Sequence, residues 1–295
     1  MKTIVNVFIG LLIILISCDN TGKNNETEAI DFENLSSSEL EDIGFKKIEN
    51  PETFEQGLKY LEEAAINGSS KAAKEVGLRY ARGNGVVQDK WKAMNYLKRA
   101  YDNVCTFELG RIYFEESTSQ YEYKKAYDCF SSITYGDCDN YAEYMLGYMN
   151  YYGLGTLKNY KAAYKYFDES TKRPNSDTIY GADLLGLGDA KYYLGMMALE
   201  GLGCQKNYAI AESHFNFGFM SNACKYMLGV MHYNGLCKNS SKKLAAQYIK
   251  QVYDREGLNS FNQEFSSKAR QFWDDNELWR YYEERTFDGF NGVLN

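Results

Sequence analysis

Residues 72–100 read AAKEVGLRYARGNGVVQDKWKAMNYLKRA. Ala72, Val76, Gly77 and Tyr80 stand at i, i+4, i+5 and i+8, which places them on one face of a helix. A mid-helix glycine costs about 1 kcal/mol relative to alanine, so Gly77 signals a partner helix packed close enough to outweigh that cost. Gly83 and Gly85 supply the left-handed backbone that ends a helix cheaply, and Asp89 is an N-cap or loop-bonding side chain before the second helix. The stretch predicts two helices, roughly 71–82 and 91–101, joined by a turn.

The same grammar returns along the chain. A hydrophobic residue followed by glycine recurs at Val76-Gly77, Leu109-Gly110, Leu146-Gly147, Leu194-Gly195 and Leu228-Gly229. Sixteen residues after each glycine stands an alanine: Ala93, Ala126, Ala163, Ala211 and Ala245. That offset holds although successive units are 33 to 48 residues apart, so it reports a conserved internal geometry of each unit. Helix two carries Tyr96-Leu97, Cys129-Phe130, Tyr166-Phe167, His214-Phe215 and Tyr248-Ile249 in register, which places His214 among packing residues. Asn159, Asn207 and Ser241 repeat the position of Asp89. Gly153-x-Gly155 and Gly201-x-Gly203 repeat the turn; each lies between helices with no preceding strand, which argues against a nucleotide-binding loop.

This pattern resembles the Sel1-like repeat family, a relative of the tetratricopeptide repeat. The motif is matched best by Ala72, Val76-Gly77, Tyr80, Gly83 to Val86, Asp89, Lys92-Ala93, Tyr96 and Ala100. The resemblance covers about residues 53–254, and residues 54–67 match the second helix of a leading repeat. It implies an all-α, right-handed α/α superhelical solenoid that acts as an interaction scaffold. Two departures stand out. The second unit has Glu116 and Thr118 where the turn glycines belong, and an insertion at about 172–188 lengthens an inter-repeat loop.

The flanks read differently. Lys2 and an apolar run over 4–16 form a secretory signal, too short for a secure membrane span. The run ends Leu15-Ile16-Ser17-Cys18, which resembles a bacterial lipoprotein signal with Cys18 as the lipidated residue; an uncleaved anchor, or an ordinary signal peptide in which Cys18 is incidental, is the alternative. The expected layout is a signal peptide at 1–17, a flexible polar tether at 18–50, the solenoid at 51–257 and an aromatic helical cap at 258–295. The cap reading rests on Phe261, Phe265, Phe272, Trp273, Leu278, Trp279, Tyr281 and Tyr282, since a terminal repeat must shield an apolar edge; a docking surface is the alternative.

A formal charge of −7 argues against nucleic-acid binding. With no CxxC pair and only His214 and His232 as histidines, neither a zinc site nor a cofactor is expected, and no catalytic constellation stands out. Cys129 with Cys138, and Cys204 with Cys237, are candidate disulfides, with unpaired core cysteines as the alternative. Two columns on the first helices, two residues either side of the key glycine, become Met- and Tyr-rich in the last three units. Met145, Met149, Tyr193, Met197, Met227 and Met231 are therefore a candidate protein-binding face, with interhelical packing as the alternative.

The resulting expectation is a non-enzymatic scaffold in the bacterial cell envelope, lipid-anchored at Cys18 and holding a protein or peptide. Resemblance to a cysteine-rich branch of the family implies a second reading, an envelope enzyme acting on β-lactam or cell-wall-related substrates, which that branch associates with repeated disulfides. A third reading, an immunity or structural envelope protein, shares the binding physics of a scaffold.

Overall fold

The computed structural model describes residues 32, 34–133, 139–172, 183–218, 221–254 and 260–282. Six helix pairs follow one another. They are α1 (Ser37–Ile48) with α2 (Phe54–Ile66), α3 (Ser70–Arg82) with α4 (Lys90–Leu97), and α5 (Asn103–Glu116) with α6 (Gln120–Ser132). Then come α7 (Asp139–Tyr152) with α8 (Tyr160–Ser170), α9 (Asp183–Glu200) with α10 (Tyr208–Phe217), and α11 (Asn222–Tyr233) with α12 (Lys242–Tyr253). A final helix, α13 (Ser260–Asp275), and a 3-10 turn at Leu278–Arg280 close the array. Each helix packs chiefly on its neighbours in sequence, so the fold is an all-α solenoid of paired helices with a helical cap.

What holds each pair together is a missing side chain. A Cβ placed on Gly77 would sit 2.8 Å from Leu97, on Gly110 2.8 Å from Phe130, and on Gly147 2.7 Å from Phe167. At Gly229 it would lie 2.6 Å from Ile249, and at Gly195 it would overlap Phe215. In all five units the large side chain stands twenty residues after the glycine. The recurring alanines at 93, 126, 163, 211 and 245 are fully buried beside these contacts. Leu97 and the three Phe side chains are essentially buried, and burial of a side chain that size contributes roughly 1.5–3 kcal/mol.

The turns lock successive units. Gly155 is in the left-handed region with φ +65°, and a Cβ there would collide with the backbone at Tyr123 of α6. Gln120 clamps the same turn: its Oε1 accepts from the Gly155 N–H at 2.7 Å, and its Nε2 donates to the Gly153 carbonyl at 3.2 Å. Gly203 abuts the Tyr160 carbonyl of α8 in the same way. Asp89, Asn159, Asn207 and Ser241 all cap the second helices as expected, each accepting a backbone N–H three residues on. The second unit lacks the turn glycines because its helices are extended. Only residues 117–119 separate α5 from α6, against 83–89 in the first unit, and Ser119 still caps α6.

The tether expected at 18–50 is corrected at its C-terminal end. Residues 37–48 form α1, opened by a capping box in which Ser36 and Glu39 exchange hydrogen bonds. Leu40 is fully buried, and a Cβ on Gly44 would lie 2.7 Å from Leu61 of α2. Thus α1 and α2 form a complete leading repeat. The spacing from glycine to filling residue is seventeen here rather than twenty, because the turn at 49–53 is shortened without the longer helices that compensate in the second unit, and the fixed-offset pattern passes it over. Residues 1–31, including Cys18, lie outside the described residues. At the other end α13 buries Phe265, Ala269 and Trp273 against Ala246, Ile249 and Val252 of α12 and against Ala223 of α11. Phe265 meets Tyr192 and Tyr226 at 5.3 and 5.6 Å. These contacts make the tail a cap.

Gly147→Ala tests the packing rule. On an isolated helix the change gains about 1 kcal/mol of propensity, whereas overpacking against Phe167 costs about 1–3 kcal/mol. The expected result is a lower urea midpoint, partly restored by adding Phe167→Leu. A midpoint at or above that of the unmodified chain would refute the rule.

Candidate functional site

The Met and Tyr columns are core, which corrects the expected binding face. Met149, Tyr193, Met197, Met227 and Met231 are buried, and Met145 is half-buried against the cluster that contains Phe130 and Met149. Tyr193 stacks on Phe167, with ring centroids 4.9 Å apart. The physical reason is the solenoid itself. A first helix touches its own partner on one side and the preceding unit on the other, so both columns are covered. In the first unit Glu75 and Arg79 pair at 2.7 Å. In the second unit the charge turns inward: buried Glu108 pairs with Arg111 at 2.7 Å, while Ile112 is buried.

Exposed apolar groups lie elsewhere: Ile66, Tyr101 and Phe217 at or after the ends of second helices, Trp279 in the cap, and a further set on the rim formed by the turns and the first turn of each second helix. Val87 and Leu157, each two residues before an N-cap, are both 88% exposed. Trp91 and Tyr121, two residues after an N-cap, are 75% and 72% exposed. Tyr208 and Ile210, one and three residues after the N-cap Asn207, are exposed on the first turn of the second helix in the fifth pair. Equivalent positions in stacked repeats share one edge, so these side chains line a single rim. Cations attend it: Lys206 lies over the Tyr208 ring at 5.2 Å, and Lys90 bridges to Glu115 and Glu116 of the next unit at 3.1 and 2.6 Å. Sequence reasoning missed the rim because it sought faces of first helices. The available signal was apolar residues flanking the caps, where a solvated turn is normally polar.

A second feature is a polar cluster at the fifth and sixth pairs. Glu212 on α10, His232 on α11 and Cys237 in the following turn bring one donor atom each within 4.8 Å of one another. His232 and Cys237 are buried and Glu212 is half-buried. Burial, with Glu212 adding to it, pushes the Cys237 thiol up to about 11, so it carries its proton at neutral pH. Burial lowers the pKa of His232 and brings that of His214 down to about 4, so both rings are neutral. The Glu212 carboxylate also borders a shallow surface depression with Ala209, Ser213, Asn216 and Phe217.

Cys105, Cys129, Cys204, Cys224 and Cys237 are all free thiols. Cys204 and Cys237 pack into the same apolar cluster but are not bonded. Cys138 lies outside the described residues. A series of repeated disulfides is therefore absent among the described residues. No described helix is long and apolar enough to cross a membrane.

The Sel1 repeat model matches residues 54–69, 70–105, 140–173, 188–216 and 223–253. The stretch it passes over, 106–139, includes the turn without glycines. A crystal structure of a protective antigen from uropathogenic Escherichia coli, described as an SLR fold, superposes with a TM-score of 0.57 at 19% identity. That alignment covers 84% of this chain and 58% of the antigen, so the chain spans a little over half of the antigen's length. A Sel1 repeat protein from Oxalobacter formigenes superposes with a TM-score of 0.59 at 17% identity, covering 75% of this chain and 88% of that one. No curated protein sequence matches the chain.

Two outcomes follow from these placements. Met197→Lys buries an unpaired charge and should lower stability by about 3 kcal/mol or more in urea unfolding, whereas Trp91→Lys on the rim should change it by less than about 0.5 kcal/mol. Comparable losses would contradict the assignment of core and rim. Asp189 on α9 faces Tyr144 and Cys224, and burial raises its pKa to about 7. The folded value exceeds the unfolded one near 3.8, so its contribution is fully present below about pH 4 and is lost as pH rises through 7. Between about pH 4 and pH 7 this loss opposes the gain from His214 and His232, whose lowered values add stability as pH rises, so Asp189→Asn should make thermal stability rise more steeply with pH across that window than in the native chain; an unchanged slope would remove Asp189 as a contributor.

Proposed function

The chain belongs to the Sel1-like, tetratricopeptide-like repeat proteins, and on that premise we propose that it is a lipid-anchored scaffold of the cell envelope that holds a protein or peptide partner. The rim of Val87, Trp91, Tyr121, Leu157 and Tyr208 carries the proposal. Core demands account for the buried columns, but nothing in the packing of the repeat requires large apolar side chains on solvated turns. Tryptophan and tyrosine offer wide contact area with a polar atom for orientation, which suits a protein interface. The acidic net charge is consistent with a protein partner rather than a nucleic acid.

Anchoring rests on the leader. Lys2, the apolar run over 4–16 and Ser17-Cys18 fit lipidation at Cys18, which would then be the first residue of the mature chain. Eighteen residues separate Cys18 from the start of α1. Fully extended they span at most roughly 60 Å, enough to hold the first repeat clear of a bilayer surface.

Fractionation and site-directed photocrosslinking in intact native cells test the two halves separately. The native chain should sediment with membranes, and Cys18→Ser should move it to the soluble fraction; a membrane-bound Cys18→Ser chain would refute the lipid anchor. A photoreactive residue at position 91 or 157 should give one discrete adduct, absent with the probe at Glu264 on the exposed side of the cap. No adduct at either rim position would refute the scaffold reading.

A further inference from the structure

We propose that Glu212, His232 and Cys237 bind one divalent transition-metal ion of the zinc type. The three side chains come from α10, α11 and the turn after α11, so folding, not sequence proximity, assembles them. Their donor set is a carboxylate oxygen, an imidazole nitrogen and a thiol sulfur, all within 4.8 Å of one another. Zinc accepts this mixture of borderline and soft donors, whereas calcium and magnesium require oxygen.

A second observation points the same way. The Nδ1 atom of His232 is buried and has no hydrogen-bond partner. Leaving a buried polar atom unsatisfied is costly, and stacking on Tyr248, with centroids 5.5 Å apart and planes 9° apart, fixes the plane of the ring. The unpartnered nitrogen thus belongs to an imidazole that lies beside a thiol and a carboxylate.

The geometry requires only a small contraction. Tetrahedral zinc with bonds of about 2.0–2.3 Å places its donors roughly 3.3–3.8 Å apart. The half-buried Glu212 and the turn residue Cys237 can close the remaining distance toward the stacked His232 ring. Without metal, the Cys237 S–H donates a hydrogen bond to the Glu212 carboxylate and keeps its proton. On binding, the S–H bond breaks, the proton leaves to solvent, and thiolate, carboxylate and imidazole lone pairs go to the ion; no electron is transferred. Three protein ligands leave a fourth position for water or an exogenous ligand. Such an ion would staple the fifth pair to the sixth, next to the cap, and would stabilise the folded chain by mass action.

The test is titration of the full, metal-stripped chain in detergent with Co²⁺ under reducing conditions, followed by displacement with Zn²⁺. The expected result is one equivalent of Co²⁺, a thiolate-to-cobalt charge-transfer band in the near ultraviolet, and a higher melting temperature with Zn²⁺. Cys237→Ser should abolish the band, and Glu212→Gln should weaken binding by about tenfold or more. The same band in a folded Cys237→Ser chain would assign the ion to another cysteine and overturn the proposal, as would the absence of any thiolate band in the native chain. Should Cys237→Ser fail to fold, Glu212→Gln decides: an affinity equal to the native one overturns the site.

Discussion

The close approach of two helices over a glycine is the contact on which the rest of this molecule depends. Each first helix gives up a Cβ, and the paired helix fills the space with Leu, Phe or Ile. Glycine weakens an isolated helix, so the arrangement is favourable only when the filling residue is present. This makes the pair, not the helix, the smallest stable unit. The same contact fixes where the second helix lies, and hence where its cap, its preceding turn and its outer side chains are presented. The rim of Val87, Trp91, Tyr121 and Leu157 follows from that register.

Stacking of units adds a second tier of constraint. Turn glycines such as Gly155 and Gly203 press against the preceding second helix, so a unit is shaped partly by its neighbour. Apolar clusters accordingly run from one pair into the next, and they end only at α13. The polar cluster of Glu212, His232 and Cys237 sits at such a junction, because its members belong to two pairs. Placing polar groups there is expensive unless they are satisfied, which distinguishes this junction from the apolar ones.

Much of the fold was legible because the repeat writes itself in fixed intervals. The glycine, the alanine sixteen residues later and the N-cap between them define both helices and their facing surfaces without reference to the rest of the chain. Legibility failed where the interval changed. Gly44 and Leu61 make the same contact as Gly77 and Leu97, but a shorter turn alters their spacing, and the polar run before them reads as a tether. It failed again for Met149, Met197 and Met231. A periodic apolar column looks the same in sequence whether a partner protein or the preceding repeat covers it, and here the preceding repeat does.

By itself the sequence determined the helix-pair repeat, its caps, the second-helix register and the acidic net charge, because each depends on residues within one unit or on composition. Only the tertiary structure decided which apolar residues remain exposed, that α1 completes a leading repeat, that Cys204 and Cys237 stay unbonded, and that Glu212 meets His232 and Cys237. These outcomes depend on how one unit sits on the next. That geometry is set by turn lengths and glycine contacts between units, which a local periodicity does not encode.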